Sequence, residues 1–195
     1  TKILTALSLQ NTPEIAHRLL LKSSYWDIIK NPYPERHKIP LDEEITIKTD
    51  EIPREDLTHL QSIAIDNSGS SDADDAISLD NNIVWIHIAD VASRVPYDGE
   101  LESYAQQRIS NLYLPNQVIH MLPTNLTTLC SLGESEISQA ISIGFEMVEN
   151  QITNIQVIPS NIKVEKMTYK EADRVINEHK ALSKLNSLAK SHKAF

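Results

Sequence analysis

A single cysteine, Cys130, excludes an intramolecular disulfide framework and fits a reducing compartment such as the cytosol. Large aromatics are scarce too, with two Trp and two Phe, so Ile, Leu and Val must fill any core. No apolar run approaches the length of a membrane span, and no basic-then-apolar start suggests a signal peptide. Internal repeats and low-complexity segments are missing as well. What remains is a chain of 195 residues, 41% hydrophobic, enough for one ordinary domain with or without an appendage. Thr at the start and Phe195 inside a helical pattern are expected of a fragment of a longer protein.

Positive charge is missing where negative charge is densest. Residues 66–150 hold 2 basic and 13 acidic residues, whereas residues 151–195 hold 8 basic and 4 acidic. An acidic block of that kind repels a polyanion by itself, yet attracts divalent cations that would invert the local field. The basic tail reads either as a solvated Lys-rich helix face or as a phosphate contact.

Local patterns predict the elements. Residues 11–31 read as a helix, with Thr12 as cap, Pro13 at the first helical position, and an apolar stripe of Ile15, Leu19 and Tyr25–Trp26. Residues 33–49 form a proline- and charge-rich connector. Residues 52–60 suggest a helical turn leading into the strand "SIAID". "AISLD" and "NIVWIHIADV" flank Asn81-Asn82, a strong hairpin signal because Asn tolerates positive φ. Residues 98–112 carry a helical period with Leu101, Tyr104, Ala105 and Ile109 on one side. "AISIGFEMV" and "QITNIQVIPSNIKVEK" alternate like antiparallel strands joined near Glu149-Asn150. A long helix follows, opened by a capping box from Thr168 to Glu171. Hairpin-paired strands with inserted and appended helices predict an α+β fold with a mixed, largely antiparallel sheet.

The chemistry-bearing stretch is "IDNSGSSDADDAI", which packs Asp66, Asp72, Asp74 and Asp75 into ten positions. Carboxylates that close repel one another unless a cation sits among them. A calcium-binding EF-hand loop fails: counted from Asp66, its required Gly and Glu fall on Ser71 and Ile77. Counted from Asp72 they fall on Ile77 and Ile83. An aspartic-protease loop fails because Asn67 separates Asp66 from Ser68 and no second copy exists. Two readings stay open, a solvated acidic loop and a metal site built from two strand ends and the loop between them. Oxygen ligands without Cys or a nearby His favour Mg²⁺ or Mn²⁺ over zinc, and such clusters suit phosphodiester hydrolysis.

"IDNSGSSDADDAISL" resembles the signature of the ribonuclease II family, whose catalytic unit is the RNB domain. The similarity continues through "REDLTHL", "HIADVASRVPYDGELESYAQQRISNLYLP", "VIHMLPTNLTTLCSL" and "KMTYKEADRVI". Residues 1–50 resemble a helical stretch upstream of that domain in some bacterial and plastid-type members, which leaves residues 51–195 as the N-terminal portion of the catalytic domain. The resemblance implies a 3′-to-5′ exoribonuclease that uses Mg²⁺ to hydrolyse single-stranded RNA to nucleoside 5′-monophosphates, in the cytoplasm or a plastid-type compartment. It implies Asp66, Asp72, Asp74 and Asp75 as metal ligands, with Asp74 the carboxylate most tied to catalysis, and Tyr113 as a base-stacking residue. Arg108 reads either as a phosphate contact or as a structural partner of a carboxylate.

The resemblance also has gaps. The family's arginine-rich second half and its OB-type RNA-binding domains have no counterpart in these residues, and Ser138 stands where the family often has Arg. A weak or inactive chain is therefore expected, and a non-catalytic RNA- or protein-binding remnant of the fold is the alternative. Among other polar residues, His87 reads as a satisfied buried histidine and Asp90 as a strand-end hydrogen-bonding group. Cys130 reads as a small buried residue without an activating His, and Tyr25 and Trp26 as helix packing rather than an RNA platform.

Overall fold

A computed structural model describes residues 2–39, 45–47, 52–70, 72–149 and 151–193. In chain order its elements are α1 (Lys2–Ala6), α2 (Pro13–Lys22), α3 (Tyr33–Arg36), β1 (Glu55–Asp56), β2 (Ser62–Asp66), β3 (Asp75–Asp80) and β4 (Ile83–Ala89). After a 3-10 turn at Ala92–Arg94 come α4 (Glu100–Arg108), β5 (Leu112–Leu114), β6 (Gln117–Ile119) and α5 (Thr124–Cys130). Then follow β7 (Ser138–Val148), β8 (Gln151–Ile162), β9 (Val164–Thr168), α6 (Tyr169–Val175) and α7 (Lys180–Lys193). They form two compact units. The first comprises residues 1–43 and 108–121, the second residues 44–107 and 122–195. No helix among the described residues is long and apolar enough to cross a membrane.

The second unit is an α+β assembly on a seven-stranded sheet of order β1-β8-β7-β4-β3-β2-β9. Its pairings are antiparallel except β1 with β8 and β2 with β9. The β3–β4 hairpin turns at Asn81–Asn82, as its sequence predicts, and Asn81 takes the required positive φ of 53°. Burial alternates strictly at the start of β7, where Ser138, Ala140, Ser142 and Gly144 face inward. That inner face is lined by small residues because Trp85 of β4 occupies it: a Cβ on Gly144 would lie 2.7 Å from the Trp85 ring. Leu57, Leu60, Ala64, Ala76, Leu132 and Ile162 close the core around Trp85. A smaller cluster of Ile45, Leu101, Leu126 and Cys130 packs beside α4 and α5. Burial raises the Cys130 thiol pKa, so Cys130 is the inert small residue expected of it.

Six local expectations are corrected. Helix α2 stops at Lys22, because Ser24 turns to a left-handed φ of 55°, so Tyr25 and Trp26 lie outside it. The Thr12 cap holds, its hydroxyl accepting from Ile15 N–H at 3.3 Å. Residues 33–36 of the connector form α3, while residues 40–44 and 48–49 lie outside the described residues. Glu55–Asp56 is a strand on the edge of β8, not a helical turn, and Asp56 instead closes a turn by accepting from Thr58 N–H and Oγ1. The final strand pattern breaks at Lys163, since β9 leaves β8 and pairs with β2. The last helix likewise breaks between Val175 and Lys180, though its Thr168–Glu171 capping box is formed. Ile109, with φ 69°, ends α4 and is exposed rather than packed on the helix's apolar side.

Candidate metal and nucleic-acid site

Asp66 ends β2 and Asp75 begins β3, and these strands are antiparallel neighbours. Their connection therefore returns to the sheet end it left, carrying Asp72 and Asp74 with it. A turn over residues 67–70, closed by Ser70 N–H donating to the Asn67 carbonyl at 3.1 Å, shapes its first half. Gly69 supplies the positive φ of 87° that turn needs. The second half is pinned to the core, since Leu132 N–H donates to the Ala73 carbonyl at 3.0 Å and Ala89 N–H to that of Asp74 at 2.9 Å.

The side chains divide by their partners. Asp66 accepts from Asn67 N–H at 2.7 Å and from the Ser70 hydroxyl at 2.5 Å. The bond from Ser70, then that from Asn67, with the more distant charge of Lys166, holds the Asp66 carboxyl below its ordinary pKa. Ser70 Oγ also lies 3.2 Å from Asp72 Oδ1, so one hydroxyl links two of the carboxylates. Asp74 has the opposite environment. Burial first, and then the negative charges of Asp72, Asp75 and Asp66, push its pKa up. All four aspartates thus share one electrostatic field. Among the described residues no three His, Cys, Asp or Glu side chains converge closely enough to hold a metal ion. The donor set suits a hard divalent cation in charge and atom type, and a bound cation would have to draw the carboxylates inward.

Sequence reasoning missed the residues around Asp66. A cavity of about 130 Å³ beside it is lined by Ser70, Lys166, Thr168 and Glu171, among others. Lys166 and Asp66 are 100 positions apart in sequence; only the parallel β2–β9 pairing, which aligns Asp66 with Thr168, brings them near. Lys166 is also hydrogen-bonded to Glu134.

Tyr113 and Arg108 belong to the first unit. Tyr113 sits on the β5–β6 hairpin with its ring 70% exposed, its hydroxyl accepting from Asn111 Nδ2 at 3.4 Å. Arg108 Nη1 donates to the His120 carbonyl at 3.2 Å, which braces that hairpin's far end. Ser138 is buried and accepts from Gly133 N–H at 2.9 Å, closing the turn before β7.

Two further groups are structural. His87, fully buried, has its Nε2 2.9 Å from Ser78 Oγ and 3.3 Å from Ser62 Oγ, while its Nδ1 lies 2.6 Å from Ser142 Oγ. Burial lowers its pKa to about 4, so the ring is neutral at pH 7. Asp90 accepts from the Ser93 backbone, as a strand-end group should, but its main partner is Arg54, whose Nη2 lies 2.6 Å from Oδ2 with both side chains almost wholly buried. No local signal announces Arg54, which comes from 36 positions upstream.

Comparisons with known proteins follow the same outline. The RNB domain family model matches residues 54–194. Ribonuclease R of Chlamydia pneumoniae is 37% identical over 153 residues, covering 73% of this chain and 23% of its own length. The chain thus spans less than a quarter of that relative. Among solved structures, an active-site mutant of the Dss1 exoribonuclease from Candida glabrata superposes with a TM-score of 0.69 at 21% identity, over 86% of this chain and 26% of its own. Yeast Ssd1, a pseudonuclease, gives 0.66 at 19% identity over 77% of this chain and 21% of its own. At such identities the two structures show the shared fold alone.

Proposed function

Because this chain belongs to the RNB domain family, we propose that it is the metal-holding portion of a 3′-to-5′ exoribonuclease that hydrolyses single-stranded RNA to nucleoside 5′-monophosphates in the cytoplasm or a plastid-type compartment. The observation that carries this reading is the antiparallel β2–β3 connection, which brings Asp66, Asp72, Asp74 and Asp75 to one end of the sheet, close enough that the other three charges raise the Asp74 pKa after burial. A protein gains nothing in stability from four carboxylates in one field; a cation-binding role gives them a purpose. Asp66, Asp72, Asp74 and Asp75 would hold Mg²⁺, or Mn²⁺ in its place. The metal, when bound, lowers the pKa of a water and offsets charge on the leaving oxygen.

The chain's own residues do the rest. Ser70 and the Asn67 backbone keep Asp66 ionised and oriented. The backbone bonds at Ala73 and Asp74 fix where the loop presents its charge. Tyr113 offers an exposed ring on which a base of any identity can stack. Arg108 lies near that hairpin as a phosphate contact. Among the described residues, Lys166 lines the cavity beside Asp66 but is shared with Glu134, and Arg54 is engaged with Asp90. RNA held with so little positive charge beside the described aspartates turns over slowly.

The fold is also that of a pseudonuclease, so a second reading stands beside the first, a non-catalytic RNA- or protein-binding remnant of the fold. Asp74→Asn separates the two. With end-labelled RNA and Mg²⁺, the exonuclease reading expects slow mononucleotide release that falls about 100-fold or more in the variant, with RNA affinity kept. Absence of Mg²⁺-dependent release from the unaltered chain, with RNA still bound, supports the second reading.

A further inference from the structure

The first unit carries a surface that packing does not explain. Beyond the end of α2, Tyr25, Ile28 and Ile29 are 77%, 85% and 76% exposed, and Tyr33 on α3 is 59% exposed. A helix-packing role for Tyr25 is therefore excluded. Two rings of this segment, Trp26 and Tyr33, stand beside cations and other rings. Trp26 meets His17 edge-on at 5.5 Å, and the Lys30 ammonium lies 5.9 Å from the Trp26 ring centre. Tyr33 stacks on His37 at 6.2 Å, and the Arg36 guanidinium lies 5.7 Å from the Tyr33 ring. A bridge of 2.9 Å from Lys30 to Glu35 joins the two groups into one strip. Arg36 is fixed from behind by donating to the Pro13 carbonyl at 3.2 Å. The described residues 2–39 hold six Lys or Arg against three acidic residues, the reverse of the acidic stretch at residues 66–149.

We propose that the strip Tyr25–Trp26–Lys30–Tyr33–Arg36 is a binding surface for single-stranded RNA, resting on the reading that this chain acts on RNA. A single strand offers flat bases and a phosphate at each step, and what holds it regardless of sequence is a ring with a cation beside it. This strip repeats that arrangement twice within one short segment. Tyr25 and Tyr33 take stacked bases, Lys30 and Arg36 neutralise two phosphates, and Ile28 and Ile29 give apolar contact to base and sugar faces. A protein partner would call for an apolar patch, but not for the cations set beside Trp26 and Tyr33. The exposed Tyr113 ring lies in the same compact unit, so both stacking elements belong to one body.

The test uses the full 195-residue chain carrying Asp74→Asn, so that binding is read without turnover. A 5′-labelled oligouridylate is titrated by fluorescence anisotropy over a range of salt. Tyr25→Ala/Tyr33→Ala should weaken binding at least tenfold, while Tyr25→Phe/Tyr33→Phe stays within twofold, with the melting temperature of each unchanged. Lys30→Gln/Arg36→Gln should flatten the slope of log K against log salt by about 1.4, the value for two phosphates on a single strand. Binding by the alanine pair within twofold of the parent, with an unaltered salt slope in the glutamine pair, overturns this proposal and leaves the RNA reading standing. A parent chain that holds no RNA overturns both.

Discussion

Asp74 and Asp90 stand at the same end of the same strand pair, yet their surroundings are opposite. Asp90, just past β4, is buried with Arg54 at 2.6 Å and a backbone donor from Ser93. Asp74, just before β3, feels the negative charge of three other carboxylates. They are close enough that the Asp74 carbonyl accepts from Ala89, the residue before Asp90. The fold thus sets one carboxylate against a cation and the other among like charges. Charge that is paired holds the sheet end together; charge left unpaired costs stability and is there to be used.

The largest way to sharpen that contrast is to unpair Asp90. Arg54→Met leaves a buried carboxylate without its cation and should cost roughly 3–5 kcal/mol in urea unfolding. Arg54→Met with Asp90→Leu should recover much of the loss, because an apolar pair avoids the desolvation penalty.

Next comes His87, a polar group whose partners are complete. Its folded pKa of about 4 lies below the ordinary 6.5. The folded state therefore refuses a proton that the unfolded chain accepts. Its contribution is fully present above pH 6.5 and is lost as pH falls toward 4, by roughly 3 kcal/mol. Unfolding free energies at pH 7 and pH 4.5 should differ less in a His87→Gln variant than in the parent. Asp74 works the other way. Its raised pKa means the folded state holds its proton more tightly, so its repulsion is relieved as pH falls.

Gly144→Ala probes the packing that keeps His87 and Trp85 in place. The new methyl would fall within 3 Å of three Trp85 ring atoms. A loss of about 1–3 kcal/mol in thermal or urea unfolding is expected. The smallest effect is that of Asp74→Asn on stability. Removing one like charge from a largely solvated cluster should leave unfolding unchanged, or raise stability by no more than about 1 kcal/mol after screening. A large destabilisation would mean that Asp74 is structural, like Asp90.

Much of the acidic site was legible because its signal is local. Four aspartates at fixed spacing, and a strand pattern on either side, are enough to place them at one sheet end. The Asn81–Asn82 hairpin and both Thr caps are legible for the same reason. What local patterns could not carry was pairing at a distance. Glu55–Asp56 takes its strand conformation from β8, about a hundred positions away, and β9 leaves its own run to pair with β2. Arg54 and Lys166 reach their aspartates only through that topology. The exposure of Tyr25 was hidden because the apolar period runs on past Lys22, while the left-handed Ser24 ends the helix.

If the aspartates at the β2–β3 end form one cation site, thermal unfolding with rising Mg²⁺ reveals it. The parent chain should melt at progressively higher temperature, gaining about 2.7 kcal/mol when Mg²⁺ reaches a hundred times its dissociation constant. Asp74→Asn and Asp75→Asn should each blunt that gain, and Asp90 paired with Arg54 should play no part in it. A melting temperature indifferent to Mg²⁺, or one that rises equally in both variants, would mean that these aspartates hold no cation together.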